Sequence, residues 1–554
     1  MNYLWMFPMV PQKSIKKNIK ILLLTGKAAA SLVKVYAPEN TSVFVLPINV
    51  AAFINSSLIK KHLPKTALRG YDLVMVPGLV SGGLQTLTDY YGVPFVKGPR
   101  YASDIPLTLR ETNPFELSSI YPADKFLKKQ RLAKGQIALE EGFGKPIDME
   151  KGEFLLGFEH QFPIGIERPP LIMAEIVDAP KLSDKKILER AKYYLQFGAD
   201  VLDIGAVAND PQPERIATII QSLQPLKKEF KFLISVDTLN TDEIIAAIKA
   251  NVELILSIDH GNIETLLPVI PPKVGVVFIP TNIREGKIPR ETTKRVESLL
   301  TLKEKLIEAG LTKLFADPII EMPIYPGFTT SLEYYMAYRK ADIATPMMTC
   351  IGNVTEFIAA DPIGINALFG SIAVELGIQL LLVTDVSVKC RGGIKEVKKA
   401  RDLAFIAKQT KKPPKGVGVH LLMAKSRVAN DFELTEEEQS RLVFLPQPEK
   451  TALYTQEFEP DPQGNFIIWV DYHQQRIYTR HLAFKTNKPT IAFACAKARP
   501  IFEEIIKRKL VSKIDHAYYL GRELERAEIC LYLGKTFVQD EQTFQDNFVL
   551  QFEK

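Results

Sequence analysis

Cysteine is scarce in this sequence, and no long apolar run is present. The 554 residues contain four scattered cysteines and no C-x-x-C pair, which excludes a disulfide framework and favours reduced thiols. No segment approaches the ~20 apolar residues that cross a bilayer. The apolar start MNYLWMFPMVPQK has its lysines after the apolar part, which makes it a poor signal peptide. We therefore expect a cytoplasmic protein that has no membrane partner.

Charge of one sign is also lacking. Lysine and arginine number 70 against 64 acidic residues, a formal net charge of only +6. No long basic stripe with interleaved aromatic residues is present, so a nucleic-acid partner is not expected. The hydrophobic content of 46% is ordinary for a globular protein with buried cores. This composition favours small-molecule ligands.

The chain length and the local patterns predict three domains. Residues 1–165 alternate strand-like runs such as IKILLLTG and YDLVMVPG with helical ones, which indicates a small, mainly parallel α/β layer followed by a linker. Glycines end several of these strands, where they suit tight turns or the close approach of a ligand. Residues 420–554 read as an α+β domain, with a hairpin in GNFIIWVDYHQQRIYTRHLAF and a helix in DHAYYLGRELERAEICLYLG.

Residues 166–412 carry eight apolar strand candidates with helical patterns between them. Eight strand–helix units in a segment of this length predict a central TIM (β/α)8 barrel, with an open doubly wound sheet as the alternative. In the pattern SDKKILERAKYYLQFG, Ser183 is placed to cap the helix. The eight candidates are PLIMAEIV, ADVLDIG, FLISVD, ELILSID, VGVVFIP, KLFADP, PMMTCIG and QLLLVTD.

Polar side chains stand where these strands end, which is where barrel active sites lie. Carboxylates and amides dominate the set, and basic groups are few. Such a ring suits a neutral ligand with many N–H donors, for example a pterin or a purine. The alternative for any single residue is a cap on the following helix. The set comprises Glu175, Asp178, Asp203, Asn209, Asp210, Asp237, Ser257, Asp259, Thr281, Asn282, Asp317, Asn353, Thr384 and Asp385.

The segments FGADVLDIG, ISVDT and ADP resemble, in order and spacing, those of the pterin-binding barrels. These are the dihydropteroate synthases and the corrinoid-linked methyltetrahydrofolate methyltransferases. The stretch HAYYLGRELERAEICLYLGKTFVQD resembles a domain of archaeal dihydropteroate synthase-like proteins. The resemblance implies an archaeal, folate- or tetrahydromethanopterin-type biosynthetic enzyme that binds a pterin.

The resemblance also implies the pterin ligands. Asp237 of ISVDT and Asp317 of ADP would grip the amino and ring N–H groups. Ser257 falls where the family usually has asparagine, with Asp259 as a substitute. Asn353 in GNVTE matches the methyltransferase pattern better than the synthase one. Asn209 takes the position of a synthase threonine in the loop after the second strand.

The basic groups that synthases use for the second substrate are missing, because those positions read Val354, Leu382 and Thr384. A replacement phosphate site is predicted at Lys389 and Arg391, before two glycines and a helix, and the alternative is a solvated turn. A phosphorylated arylamine, such as a ribofuranosylaminobenzene phosphate, would fit such a site. A magnesium ion on the departing pyrophosphate is also expected, with Asp178 as its candidate ligand.

Three functions remain open on these residues. The first is a dihydropteroate synthase-like transferase that condenses a dihydropterin-methyl pyrophosphate with an arylamine. The second is a pterin-dependent methyltransferase with a corrinoid partner, and the third is a non-catalytic pterin-binding protein. A homodimer is compatible with each. In HAYYLGREL, His516, Arg522 and Glu523 suit a polar packing seam better than a catalytic set.

Overall fold

The computed structural model describes residues 19–424, 436–443, 460–541 and 543–544, so the stretch MNYLWMFPMVPQK lies outside the described residues. The chain forms two compact units. One lies within Met1–Lys145 and Asp402–His420, the other within Pro146–Arg401 and Leu421–Lys554. The predicted barrel boundary at 166 therefore falls inside the second unit, and the predicted end at 412 falls inside the first.

The first unit contains a four-stranded parallel sheet in the order β2-β1-β3-β4. The two central strands, β1 and β3, are apolar apart from Thr25, and all of their residues are buried. Leu22 and Leu24 pack into one apolar cluster, and Ile21 and Leu23 pack into another on the opposite face. The strands are β1 (Ile21–Thr25), β2 (Thr41–Val45), β3 (Leu73–Val76) and β4 (Phe95–Lys97), and the helices are α1 (Ala30–Tyr36), α2 (Ser56–His62), α3 (Gln85–Tyr91), α4 (Ile105–Glu111) and α5 (Lys128–Gly144).

Glycines at these strand ends allow two backbone segments to approach each other closely. A Cβ on Gly26 would lie 2.9 Å from the carbonyl oxygen of Asn49, and a Cβ on Gly78 would lie 2.5 Å from that of Gly98. The space that a ligand would need is thus already filled by backbone. This supports the interpretation of tight turns.

A short hairpin precedes the barrel, where the sequence suggested only a linker. It consists of β5 (Phe154–Leu156) and β6 (Phe162–Ile164). Leu156 is completely buried, and the rings of Phe154 and Phe315 lie 5.5 Å apart between centroids. The hairpin therefore packs on the second unit, in agreement with the unit boundary at 146.

Eight parallel strands close into a barrel, since the last strand pairs with the first through Leu380 and Leu171. This confirms the predicted TIM (β/α)8 barrel, and closure excludes the open doubly wound sheet. The strands are β7 (Leu171–Ile176), β8 (Val201–Gly205), β9 (Leu233–Asp237), β10 (Leu254–Ile258), β11 (Gly275–Phe278), β12 (Leu314–Ala316), β13 (Met347–Cys350) and β14 (Ile378–Val383).

The first barrel helix shows why the sequence folds in this way. Ser183 caps it by accepting a hydrogen bond from the backbone N–H of Lys186, as predicted, and Gly198 ends it with a φ of +99°. Ile187 and Tyr194 face the barrel core. Helices of this unit are α6 (Asp184–Phe197), α7 (Pro213–Leu223), α8 (Thr241–Lys249), α9 (Ile263–Leu266), α10 (Thr292–Glu308), α11 (Phe328–Ala341), α12 (Gly352–Thr355), α13 (Pro362–Leu376), α14 (Gly393–Gln409), whose residues after 401 count to the first unit, and α15 (Glu436–Ser440).

The C-terminal part of the second unit is an antiparallel sheet covered by two helices, which confirms the predicted hairpin and helix. Phe466 and Ile468 pack from the sheet against Leu520 and Leu524 of the long helix. Among the described helices, none combines the length and the apolar character that a bilayer crossing requires. The elements are β15 (Gly464–Asp471), β16 (Arg476–Ala483), β17 (Pro489–Cys495), α16 (Ala498–Lys507) and α17 (Ile514–Leu533).

Candidate functional site

A cavity of about 280 Å³ opens at the C-terminal ends of the barrel strands. Four predicted pterin ligands line it, and it contains no lysine or arginine. Its wall therefore offers hydrogen-bond acceptors and negative charge, which suits N–H donors and cations. The four predicted residues are Asp237, Ser257, Asp317 and Asn353, and the other carboxylates of the wall are Glu175 and Glu356.

Asp317 follows β12 and keeps one carboxylate oxygen for the cavity. The backbone N–H of Ile319 donates to Oδ1 over 2.8 Å, and the hydroxyl of Tyr335 lies 2.7 Å from the same atom. Burial raises the pKa of Asp317 to about 6, while these two hydrogen bonds limit the rise. The side chain is thus fixed in place and ionised at neutral pH.

Asp237 ends β9 and faces the same cavity. Burial, followed by the neighbouring charge of Asp317, raises its pKa to about 6. The next residue, Thr238, donates its hydroxyl hydrogen bond to Glu243 of α8 over 2.5 Å. The carboxylate of Asp237 therefore lines the cavity, and Thr238 links the end of β9 to α8.

Asp237 also belongs to a cluster of three carboxylates on adjacent strands, the other two being Glu175 and Asp203. Glu175 of β7 pairs in register with Asp203 of β8, and Gly205 pairs with Asp237 one step closer to the cavity. Glu175 reaches up into the space above Gly205, where a Cβ would lie only 2.5 Å from Oε1 of Glu175. Carboxylate oxygens of Glu175, Asp203 and Asp237 consequently lie within 4.8 Å of one another.

This carboxylate cluster has unusual proton affinity. Burial, with the charges of Asp237, Glu356 and Asp178, raises the pKa of Glu175 to about 8. The completely buried Asp203 also has a pKa well above its ordinary value, again mainly because of burial. Ionisation of these two carboxyl groups is therefore less favourable than in water.

Strands β13 and β14 supply the opposite wall. Asn353 donates from Nδ2 to the carbonyl oxygen of Ile320 over 2.9 Å, which fixes its amide. The hydroxyl of Thr384 donates to Oε1 of Glu356 over 2.6 Å. Phe357 stands at the mouth with 61% of its side chain exposed. An aromatic surface is therefore available next to the polar wall.

Two predicted pterin ligands do not line the cavity. Asp259 is buried and accepts hydrogen bonds from the hydroxyl of Thr281 and from the backbone N–H groups of Gly261, Asn262 and Ile283. Its oxygens are occupied by the loops that it ties together. Asn209 is exposed, in a turn with a φ of +61°. Both residues stay predicted pterin ligands that lie outside the cavity lining.

Asp178, the predicted metal ligand, stays a prediction. It lies outside the cavity lining, and its half-exposed carboxylate pairs with Lys181 over 3.0 Å. The acidic group that could hold a cation is instead Glu175, Asp203 and Asp237, in which Oδ2 of buried Asp203 has no hydrogen-bond partner.

Lys389 and Arg391, the predicted phosphate ligands, have protein partners. Lys389 donates to the carbonyl oxygen of Ile358. The guanidinium of Arg391 lies 4.0 Å from the centre of the Tyr472 ring and donates to the carbonyl oxygen of Gly534 over 3.2 Å. Arg391 thus fastens the loop after β14 to the C-terminal sheet and helix, and the phosphate assignment stays a prediction.

The residues HAYYLGREL belong to packing. Nδ1 of His516 lies 3.1 Å from Oδ2 of Asp461, and both side chains are buried. Buried Glu523 pairs with Arg526 and accepts a hydrogen bond from the backbone N–H of Asp540. These contacts tie the long helix to its own domain, as the packing interpretation predicts.

Sequence reasoning missed Glu356 and Phe357 and undervalued Glu175 and Asp203. Glu356 caps the C-terminus of α12 and follows Asn353 by three residues, a spacing that could have placed both side chains on one side of that turn. Asp203 was open to interpretation as a turn residue. The following Gly205 was the available signal, because a glycine at a strand end marks the close approach of another group.

Comparisons with known proteins fit this site. The chain is 32% identical to the uncharacterized protein MJ0107 of Methanocaldococcus jannaschii over 538 residues, which cover 95% of this chain and 99% of that protein. The chain belongs to the MJ0107 family. The archaeal origin of the present chain remains a prediction.

Three segments of this chain match the models of described families. "Pterin binding enzyme" matches residues 176–333, a family of unknown function matches residues 19–100, and "PterinBD-DUF4346" matches residues 460–540. The pterin match contains Asp203, Asp237 and Asp317 and ends before Asn353. The barrel is therefore similar to those of pterin-binding enzymes.

Dihydropteroate synthases are among the similar proteins. The synthase of Streptococcus pyogenes is 21% identical over 226 residues, which cover 36% of this chain and 82% of that enzyme. The crystal structure of Burkholderia cenocepacia dihydropteroate synthase with 7,8-dihydropteroate is 18% identical, with a TM-score of 0.37, and covers 47% of this chain and 99% of that one.

Proposed function

We propose that the chain is a transferase that condenses a dihydropterin-methyl pyrophosphate with an arylamine. The observation that carries the proposal is the position of Asp237 and Asp317, which approach one cavity from strands β9 and β12 and have no cationic neighbour in its wall. Carboxylates in this setting accept paired hydrogen bonds from the amino and ring N–H groups of a pterin. The family match over both residues supports the same ligand.

The cavity suits the two reactants in different ways. Its volume of about 280 Å³ is close to the ~300 Å³ at which ligand pockets begin, so a bicyclic ring would occupy most of it. The exposed ring of Phe357 at the mouth offers a flat surface for an aromatic amine. The amine would then lie over the bound pterin, next to its methylene carbon.

The reaction requires mainly positioning. The amine nitrogen forms a bond to the methylene carbon, the carbon–oxygen bond to pyrophosphate breaks, and the amine proton passes to solvent. Asp237 and Asp317 hold the pterin, and Asn353, fixed through Nδ2, presents its amide oxygen as a further acceptor. Correct placement of two reactants supplies much of the rate of such a substitution.

The identity of the arylamine is a separate part of the proposal. A ribofuranosylaminobenzene phosphate was predicted from Lys389 and Arg391, and both have protein partners. We therefore keep the arylamine class and the folate- or tetrahydromethanopterin-type pathway, and we drop the requirement for a phosphate on the amine.

The test is turnover by the purified full-length protein. Dihydropterin-methyl pyrophosphate is incubated with p-aminobenzoate and with the phosphorylated amine, and pyrophosphate release and the coupled product are measured. Release that requires an amine supports the proposal. Tight pterin binding without release for any amine would instead indicate a non-catalytic pterin-binding protein.

A pterin-dependent methyltransferase with a corrinoid partner is the second candidate. Asn353 favours it, because this residue lies in the cavity wall where the resemblance places the methyltransferase asparagine. Methyl transfer from a methylated tetrahydropterin to added cob(I)alamin, followed by its absorbance, distinguishes this candidate from the transferase.

A further inference from the structure

The cluster of Glu175, Asp203 and Asp237 lacks a counter-charge. Its carboxylate oxygens lie within 4.8 Å of one another, and none of the three carboxylates pairs with a lysine or arginine in the part of the chain that the structure describes. Ser235 donates to Oδ1 of Asp203 over 2.5 Å, while Oδ2 of this completely buried side chain has no partner. A buried acceptor in this state requires a proton or a cation.

The surroundings add negative charge. Groups on the neighbouring elements that act on the cluster are acidic or uncharged, so repulsion increases with each carboxylate that ionises. Arg295 acts on Asp317 and not on the cluster. The facing titratable groups are Asp178, Tyr194, Asp317, Cys350 and Glu356.

We propose that Glu175, Asp203 and Asp237 bind a divalent cation that prefers oxygen ligands, such as Mg²⁺ or Mn²⁺. Three carboxylates form an all-oxygen donor set of the kind these cations take, with the remaining positions left to water or ligand oxygens. Glu175 and Asp237 line the cavity wall, so those remaining positions face the ligand space. Cation binding of this kind requires neither a pterin nor turnover.

Gly205 supports the site independently. It lies next to Asp237 across the strand pair, and only a residue without a Cβ leaves room for the carboxylate of Glu175 at that level. The strand is therefore shaped so that a long acidic side chain reaches the oxygens of Asp203 and Asp237. A turn or a helix cap would not need this space.

The experiment measures binding of Mn²⁺ to the full-length protein without a pterin, from the electron paramagnetic resonance signal of free Mn²⁺, with Mg²⁺ as competitor. Glu175→Gln, Asp203→Asn and Asp237→Asn should each weaken binding by at least about tenfold. Asp210→Asn is the matched control, because this exposed carboxylate is not among the groups that act on the three carboxylates and its loss should leave the affinity within about twofold.

Gly205→Ala provides a variant that keeps all three carboxylates. Its methyl group displaces the flexible end of Glu175, so Mn²⁺ binding should weaken while the fold, followed by circular dichroism, is retained. No Mn²⁺ uptake at millimolar concentration by the wild type would overturn the proposal. Unchanged Mn²⁺ affinity in folded Glu175→Gln and Asp237→Asn would also overturn it. These two variants give the answer if Asp203→Asn does not fold. Pterin binding by metal-free wild type would remain as support for the proposed function.

Discussion

Aspartates at the barrel strand ends either hold loops together or face the cavity. The hydrogen-bond donors around each carboxylate decide between these two roles. Asp259 receives four protein donors and holds two loops together. Asp317 receives its donors on Oδ1 and leaves Oδ2 to the cavity. A carboxylate whose acceptor positions are filled by the protein has none to offer a ligand.

The first prediction uses this contrast. Asp237→Asn and Asp317→Asn should each weaken pterin binding by about 1.5–3 kcal/mol, the range for a hydrogen bond to a charged group. Asp259→Asn should lower the free energy of unfolding and leave the pterin affinity of the folded protein unchanged. Isothermal titration and chemical denaturation give the two quantities. Equal pterin affinity in all three variants would contradict the assignment of the ligand residues.

The second prediction concerns Glu175, whose pKa rises from 4.5 to about 8 on folding. The folded state therefore keeps a proton that the unfolded state has lost, so the contribution to stability is full below pH 4.5 and disappears as the pH rises through 8. Glu175→Gln does not titrate. Without divalent cations, its stability relative to wild type should be higher at pH 9 than at pH 5 by at least about 1.4 kcal/mol, the equivalent of one pKa unit.

Denaturation of both proteins at the two pH values checks this expectation. Asp210→Asn, which removes an exposed carboxylate that is not among the groups acting on Glu175, is the control and should leave the pH dependence of the wild type unchanged. A relative stability of Glu175→Gln that does not depend on pH would show that the carboxyl group is not held in its protonated form.

At the scale of elements, the loop after β14 connects the cavity wall to the C-terminal domain. Thr384 binds Glu356 at the cavity, Lys389 binds the preceding loop, and Arg391 lies on Tyr472. A Cβ on Gly534 would lie 2.8 Å from the carbonyl oxygen of Arg391, so the contact also depends on that glycine. The loop is thus held from both ends.

The third prediction tests that connection. Arg391→Ala should lower the free energy of unfolding by about 1–2 kcal/mol, the scale of a partly buried cation–π contact, and should speed hydrogen exchange in residues 384–392. Arg480→Ala is the control, since Arg480 lies over Trp469 within the C-terminal sheet and does not touch the loop. A selective loss of activity with the phosphorylated amine in Arg391→Ala would support the phosphate assignment.

At the scale of the whole molecule, the cavity belongs to one of the two units. All of its lining residues lie within Pro146–Arg401. A bound ligand stabilises the structure that it contacts and leaves an independent unit unchanged. The parallel sheet of the first unit, with its own two apolar clusters, therefore needs no ligand from this cavity for its stability.

The fourth prediction follows from that division. Saturation with a pterin should slow hydrogen exchange in the barrel strands, above all in Leu233–Asp237 and Leu314–Ala316, where the binding aspartates are. Exchange in Ile21–Thr25 and Leu73–Val76 should not change. Exchange measured by mass spectrometry with and without pterin gives both sets. Equal protection of the two sheets would mean that the first unit takes part in binding.

The barrel and some of the residues in its cavity follow from local sequence patterns. Strand and helix periods are local properties, so the eight strand–helix units, the Ser183 cap and the C-terminal hairpin were predictable from neighbouring residues. Asp237 and Asp317 were also predictable, because the C-terminal ends of barrel strands converge on one site.

Tertiary structure decided which polar residues are free to act. Asp259 and Arg391 are residue types that often bind ligands, yet both have partners from distant segments of the chain. Asp259 accepts a hydrogen bond from the backbone N–H of Ile283. Arg391 contacts the Tyr472 ring and the carbonyl oxygen of Gly534. Conversely, Glu175 and Asp203 became a cluster only when β7 and β8 paired in register and Gly205 left room between them. The hydrogen-bond donors of a side chain and the free volume around it come from residues far apart in the chain. Local sequence patterns do not show which of those residues lie close together in the folded protein.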